Sequence, residues 1–282
     1  MIRTVPPQAY FVVSALFHYL GPAFAVLLFA HIGVLGVAWL RIATAAVVFA
    51  LWRRPWRLLA GADGRERRLL LAMGAILAVM NSVFYLAIAR LPLGTVGAIE
   101  FLAPIALALA GLRSARNALA LAAAMFGVVL LADVRIGGEP VGFLFAFANC
   151  ALFAGYIVIG HRLAADGGRA GIDRLAAAML IAMLFAAPIG FADAMPAFAD
   201  ARLLAAAAGV GICSSVIPYV CDQLAMARLP RATFALLLAL LPATACAVGA
   251  VVLRQVPSRL ECVGIAFVIV GVFVHRAPQA QA

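Results

Sequence analysis

Apolar runs of about 17 to 25 residues recur along the chain, separated by short breaks rich in arginine, proline or glycine. A helix of this length crosses roughly 30 Å of hydrocarbon, and it satisfies its own backbone hydrogen bonds there. The pattern predicts an all-α integral membrane protein with ten transmembrane helices. The predicted spans are Gln8–Ala30, Ile32–Leu51, Leu69–Ala89, Leu93–Leu112, Ala115–Ala132, Val141–Gly160, Leu175–Phe191, Leu203–Ala227, Ala232–Leu253 and Leu260–Val274.

The composition agrees with a membrane bundle. Of the 282 residues, 67% are hydrophobic and 11% are charged, whereas soluble domains carry roughly a quarter charged residues. All 21 basic residues are arginine, and together with the 11 acidic residues they give a net charge of +10. Because most arginines fall in short loops between apolar runs, they indicate topology, and we expect no nucleic-acid partner.

Arginine is distributed unequally between alternate loops. Fifteen arginines fall on one side of the predicted bundle and five on the other, with Arg41 inside a span. Since basic residues favour the cytoplasmic side, we expect both termini in the cytoplasm and the bundle in a bacterial inner (plasma) membrane. Trp52 and Trp56 fit an aromatic anchor at the inner interface.

An internal repeat appears when the chain is shifted by 138 positions. The pattern A-R-L-P-x-x-T at 89–95 then falls on the same pattern at 227–233, and Pro104 falls on Pro242. The repeat unit spans five helices, residues 1–133 and 134–282. An odd number of spans inverts the second copy, and inverted repeats around a central cavity are typical of transporters. Gene duplication without transport is the alternative.

Three stretches carry a resemblance to a known family. They are L-R-I-A-T-A from Leu40, M-N-S-V-F-Y-L-A-I-A-R-L-P-L-G with A-I-E-F-L-A-P within 80–104, and V-I-P-Y with L-A-M-A-R-L-P-R-A-T-F within 216–234. The chain resembles the drug/metabolite transporter superfamily, and within it the EamA-type exporters of threonine, homoserine and aromatic amino acids. The resemblance implies a cavity that opens alternately to each side and an amino acid as the exported substrate. Members of this family commonly carry acidic residues where this chain has Leu241 and Gln255. The resemblance therefore does not imply proton coupling through those positions.

Two opposite charges lie at equal depth in the predicted bundle. Arg41 and Glu100 both sit about seven residues from the outer face, roughly 10 Å deep. Ionisable groups in hydrocarbon need a partner or a polar cavity. They form either a buried structural ion pair or a substrate site, with Glu100 near an ammonium and Arg41 near a carboxylate.

Other intramembrane polar residues complete the candidate site. Asn81 and Tyr85 are one turn apart, and the repeat places Tyr219 and Gln223 at the same spacing. Interhelical hydrogen bonding is the alternative to cavity lining, and we expect Ser214 and Ser215 to bond back to their own helix. A weaker symmetric set comprises His18, Tyr19, Asn149 and Tyr156. Candidate gating residues are Asp222, Pro104 and Pro242; Asp222 alternatively snorkels to the interface.

Other function classes fit less well. A membrane enzyme needs a nucleophile with a base, a metal cluster or paired acids, but the four histidines are scattered and no HExxH or GxSxG pattern occurs. We therefore expect neither a cofactor nor a metal. Nucleotide sugars would demand more intramembrane basic residues for their phosphates, whereas hydrophobic drugs and other small metabolites remain alternative substrates. We expect a monomer in the lipid bilayer.

Overall fold

The computed structural model describes residues 6–111, 114–133, 139–163, 168–226 and 240–274. Regular secondary structure in these ranges is entirely helical, which confirms the all-α prediction. The helices are α1 Pro7–Leu28, α2 Val34–Arg53, α3 Pro55–Gly61, α4 Gly64–Ile88, α5 Leu93–Glu100, α6 Leu102–Gly111, α7 Ala115–Asp133, α8 Pro140–Leu163, α9 Gly168–Ala199, α10 Ala201–Gly211, α11 Ile217–Met226, α12 Leu240–Leu253 and α13 Arg259–Val274, with a π-helical segment, Ile212–Val216, between α10 and α11.

Six helical segments of the described chain are long and apolar enough to cross a membrane. They are Ala9–Leu28, Val34–Arg53, Gly64–Ile88, Pro140–Gly160, Ala170–Ala199 and Ala201–Asp222. The other predicted spans correspond to shorter apolar helices or helix pairs. The fold is therefore a multi-pass helical bundle, and the count of ten spans stays a prediction.

Helix α4 begins at Gly64, earlier than the predicted Leu69, because a capping residue precedes its polar first turns. The Oδ1 atom of Asp63 accepts a hydrogen bond from the Glu66 N–H at 2.7 Å, which satisfies one of the unpaired donors at the helix start. This hydrogen bond also lowers the pKa of the Asp63 carboxyl. Apolar-run length alone does not detect such a start.

Helix α9 is much longer than the predicted Leu175–Phe191, with 32 residues. Its charged first turns are held by ion pairs to other helices. Asp173 accepts from the Arg53 Nε at 2.6 Å, and the Arg174 Nε donates to Glu66 at 2.8 Å. These pairs fasten α9 to α2 and α4 at one end of the bundle, so the charges do not end the helix.

Proline shapes the helices unequally. Pro104 has no N–H to donate to the carbonyl of Glu100, four residues earlier, and the helix breaks there, with Phe101 between α5 and α6. The π-helical segment likewise ends just before Pro218. In contrast, α1 continues through Pro22 without a break.

Close helix contacts depend on small residues. Helix α2 packs along α9, α4 packs on α8 and α9, α1 on α11 and α12, α5 on α12, and α7 on α13. At the α2–α9 contact, a Cβ atom added to Gly36 would lie 2.5 Å from the carbonyl oxygen of Asp193. Glycine at this position therefore allows the two backbones to approach.

Replacing Gly36 with Ala should destabilise the bundle by about 1–3 kcal/mol, because the added methyl group meets backbone atoms that cannot rotate away. Gly209→Ala is the matched control, since nothing lies within 4 Å of its added Cβ. Thermal unfolding of both variants in detergent measures the difference. Equal midpoints for the two variants would contradict this account of the contact.

Candidate functional site

Arg41 is the centre of a buried polar cluster inside the bundle. Its side chain comes from α2, and the residue is 5% exposed. The Nε atom donates to Ser215 Oγ at 2.9 Å, and Nη2 donates to the Ser214 carbonyl oxygen at 3.0 Å. The guanidinium carbon lies 5.4 Å from the centroid of the Tyr85 ring, within the range of a cation–π interaction. Arg41 thus connects α2, α4 and the π-helical segment.

The local backbone explains why the π-helical segment accepts these bonds. Pro218 cannot donate the α-helical hydrogen bond to the Ser214 carbonyl, four residues earlier. Arg41 supplies a donor to that oxygen instead. On the other side, the Ser14 hydroxyl of α1 donates to the Pro218 carbonyl at 3.3 Å. Side chains from two helices therefore stabilise an irregular stretch inside the membrane.

Glu100 lies at a second irregular point of the backbone, as the last residue of α5. It is 5% exposed, and its Oε1 atom accepts from the Asn149 Nδ2 of α8 at 3.3 Å. Although Arg41 and Glu100 interact electrostatically, among the described residues the ion pairs within 4 Å do not include this one. The interpretation of Arg41 and Glu100 as a direct structural ion pair is therefore wrong.

Several buried polar atoms of this cluster have no hydrogen-bond partner in the described part of the chain. An unsatisfied buried polar group costs about 1–3 kcal/mol, and natural interiors contain few of them. Their concentration around Arg41 and Glu100 points to a site for a polar ligand. The atoms are Tyr19 OH, Glu100 Oε2 and Asn149 Oδ1. Tyr85 OH and Ser214 Oγ also lack a well-formed hydrogen bond, but they lie close enough to interact with each other.

Tyr19 reaches the acidic end of the cluster because a glycine makes room for it. A Cβ atom added to Gly97 would lie 3.2 Å from the Tyr19 hydroxyl and 2.9 Å from the Ala245 Cβ. The Tyr19 hydroxyl interacts electrostatically with Glu100. His18 lies edge-on against the Tyr19 ring, with centroids 5.2 Å apart, and is close enough to Arg41 for an electrostatic interaction.

A second group of predicted residues adjoins the cluster. Tyr219 of α11 interacts electrostatically with both Arg41 and Glu100, and also with Asp222. Tyr156 of α8 interacts with Tyr219 and Asp222, and its ring stacks on Phe153. The Asp222 carboxylate lies close enough to Ser14 to interact with its side chain, so this acid approaches α1 across the bundle.

The remaining predicted residues are Asn81, Gln223 and Pro242. The Asn81 Nδ2 atom donates to the Leu77 carbonyl of its own helix at 2.7 Å, so this amide nitrogen does not form the interhelical bond that was the alternative to cavity lining. The side chain of Gln223 and the repeat segment at 227–233 lie outside the described residues. Pro242 is buried near the beginning of α12.

The role of the serines was not predicted from the sequence. Ser215 was expected to bond back to its own helix, but its Oγ atom accepts a hydrogen bond from Arg41 instead. Ser14 was not among the predicted site residues. A signal was present, because Pro218 lies four residues after Ser214 and therefore requires a donor from elsewhere. A buried arginine in a chain of apolar spans is a suitable donor.

An open cleft lies at the end of the bundle opposite the α9 ion pairs. Its volume is about 250 Å³, and its lining includes Arg90, Thr95, Gln255 and Glu261. None of the predicted site residues lines it. The Arg41–Glu100 cluster itself is enclosed in this conformation, since its principal side chains are buried.

Comparison with known proteins gives the family. The threonine/homoserine exporter RhtA of Salmonella typhimurium (strain LT2) is 31% identical over 268 residues, which cover 92% of this chain and 89% of that protein. The protein of the same name from Escherichia coli (strain K12) is 32% identical over 257 residues, covering 88% of this chain and 84% of that protein. Residues 140–276 match the EamA-like transporter family. This chain belongs to that family.

Membership of the EamA-like transporter family confirms the resemblance to the drug/metabolite transporter superfamily, and it agrees with the prediction that the chain is not an enzyme. One solved crystal structure shares the fold, with a TM-score of 0.61 at 19% identity over 94% of this chain and 96% of that chain. The EamA-like chain is therefore a multi-pass inner-membrane transporter with a small-molecule substrate.

Proposed function

We propose that the protein exports neutral amino acids, including threonine and homoserine, and possesses enough aromatic lining to admit aromatic ones. The observation that carries the proposal is the enclosed cluster in which Arg41 and Glu100 lie near each other without pairing, surrounded by unpartnered polar atoms. An amino acid presents an ammonium and a carboxylate, so it can satisfy both kinds of group. The RhtA relatives carry export of threonine and homoserine in their name.

The acidic end suits the ammonium group. Glu100 Oε2 and Asn149 Oδ1 are both acceptors without a partner among the described residues, and the hydroxyl of Tyr19 accepts as well as donates. An ammonium has three N–H donors to offer. Charge-assisted hydrogen bonds of this kind are roughly twice as strong as neutral ones, so binding would offset the cost of the buried acceptors.

The basic end suits the carboxylate group. Arg41 has five N–H donors, and the π-helical segment accepts from its Nε and Nη2 atoms. The remaining donors are available for a carboxylate. The rings of Tyr85 and Tyr219 flank this end and would contact the substrate side chain. We also propose that four further residues contact the substrate: Asn81, Gln223, His18 and Tyr156.

The pattern of helix packing supports two inverted five-helix repeats and alternating access. If the repeats are residues 1–133 and 134–282, the contact of α4 with α8 has its mate in the contact of α1 with α11, and α2–α9, α5–α12 and α7–α13 each join repeat mates. Such pairing is expected of a scaffold that exchanges two oppositely open states. Asp222, Pro104 and Pro242 are the proposed gating residues, and both termini are proposed to be cytoplasmic.

Purified protein in proteoliposomes tests the proposal directly. We expect saturable flux of radiolabelled threonine and homoserine, measured with and without a pH gradient to distinguish facilitated transport from proton coupling. Phenylalanine and a hydrophobic drug cation serve as further substrates. No amino-acid flux under either condition would contradict the proposal, and drug flux alone would favour the alternative of a drug exporter.

A further inference from the structure

An exposed surface at one end of the bundle combines tryptophan and arginine. It lies where α2 ends and α3 begins, and we call Trp52, Arg54, Trp56 and Arg57 the basic aromatic surface. The tryptophans are 54% and 51% exposed, and both arginines are exposed. Exposed tryptophan at the end of a membrane span fits the interface between hydrocarbon and headgroups, where its ring is apolar and its N–H is polar.

The backbone holds this surface in a fixed shape. Arg54 directly follows α2 and has φ 52°, a left-handed conformation that favours glycine. Pro55 then begins α3, which packs on α9 and places Leu58 and Leu59 against the core. Because the short helix is anchored by its apolar side, the arginine and tryptophan side chains face away from the core.

The positive charge of this surface is not neutralised by neighbouring acids of the described chain. Asp173 pairs with Arg53, and Glu66 pairs with Arg174. Asp63 caps α4 and interacts with Arg65 and Arg68 rather than with the basic aromatic surface.

The Trp52 ring is held in place. It stacks on Phe49, with centroids 6.3 Å apart, and the Arg53 guanidinium lies 5.4 Å from the centroid of the Trp52 ring. Arg53 is thus occupied by Trp52 and Asp173, whereas Arg54 and Arg57 are exposed and their charge is available to an external anion.

We propose that the basic aromatic surface binds the phosphate of an anionic glycerophospholipid from the surrounding leaflet. A guanidinium matches a phosphate through paired N–H donors, and the tryptophans contact the upper acyl chains and the glycerol region. Anionic leaflets attract arginines near the membrane surface. The site is separate from the Arg41–Glu100 cluster and does not depend on the transported substrate.

Native mass spectrometry of the full chain, titrated with phosphatidylglycerol or with phosphatidylcholine of the same acyl chains, tests the proposal. The wild type should retain phosphatidylglycerol preferentially, and added salt should weaken the preference. Arg54→Gln with Arg57→Gln should weaken phosphatidylglycerol retention roughly tenfold. The matched control is Arg202→Gln with Arg259→Gln, which removes two exposed arginines at the opposite end and should leave retention unchanged.

Two further measurements separate lipid binding from other causes. Excess inorganic phosphate should not displace the lipid; displacement would identify a free-phosphate site and overturn the proposal. The thermal midpoint in phosphatidylcholine nanodiscs should be equal for the wild type and the double variant, and Arg57→Gln alone, which avoids the left-handed position, should show part of the loss. Equal retention of both lipids by the wild type, or an equal loss in the control variant, would also overturn it.

Discussion

Glu100→Gln should reduce threonine flux roughly 10- to 100-fold while the protein still folds. The carboxylate is proposed to meet the substrate ammonium, and a hydrogen bond to a charged group contributes about 1.5–3 kcal/mol. The amide of glutamine can still accept from Asn149, which donates to Glu100 in the wild type. Because a neutral group is easier to bury than a charged one, the unfolding midpoint should not fall.

Initial rates in proteoliposomes and thermal unfolding in detergent give the two readouts. Glu139→Gln is the matched control, since Glu139 is an exposed acid just before α8, and its flux should equal that of the wild type. Competition with L-threoninol, which has the ammonium but no carboxylate, identifies the affected end: it should inhibit the wild type and fail to inhibit Glu100→Gln. Full flux in Glu100→Gln would refute the assignment of Glu100 to the ammonium.

The apolar pattern was sufficient for the helical class because membrane spans are set by length and hydrophobicity. It failed at helix ends that depend on single polar contacts. The Asp63 cap begins α4 early, and the pairs of Asp173 and Arg174 lengthen α9. These contacts join residues that are far apart in the chain, so a local window does not contain them.

In the candidate site, too, the sequence predicted the approximate positions of the residues but not their individual contacts. Equal depth correctly brought Arg41 and Glu100 into one region, because depth follows from counting residues along a helix. The hydrogen-bond partners of these two side chains could not be predicted from their depth. Arg41 bonds to the π-helical segment, where Pro218 leaves the Ser214 carbonyl without its usual donor. Glu100 bonds to Asn149 of α8, a residue that is distant in the chain.

The link between Arg41 and Pro218 gives the second large effect. Arg41→Met should lower the free energy of unfolding by about 2–5 kcal/mol, because it removes the donors to Ser214 and Ser215 and leaves Glu100 without a nearby cation. It should also abolish measurable threonine flux. The matched control is Arg90→Met, because Arg90 is exposed and its described hydrogen bond goes to Leu86 of its own helix. The free energy of unfolding of Arg90→Met should therefore fall only slightly.

A second substitution separates the structural role of Arg41 from its proposed role in binding. Pro218→Ala introduces an N–H that can donate to the Ser214 carbonyl, so Pro218→Ala in the Arg41→Met background should restore about 1 kcal/mol of stability. It should not restore flux, because the substrate carboxylate would still lack its cation. Equilibrium unfolding and proteoliposome flux of the two single variants and the double variant complete the cycle. If flux returned together with stability, Arg41 would act only by holding the π-helical segment, and the carboxylate would have to bind elsewhere.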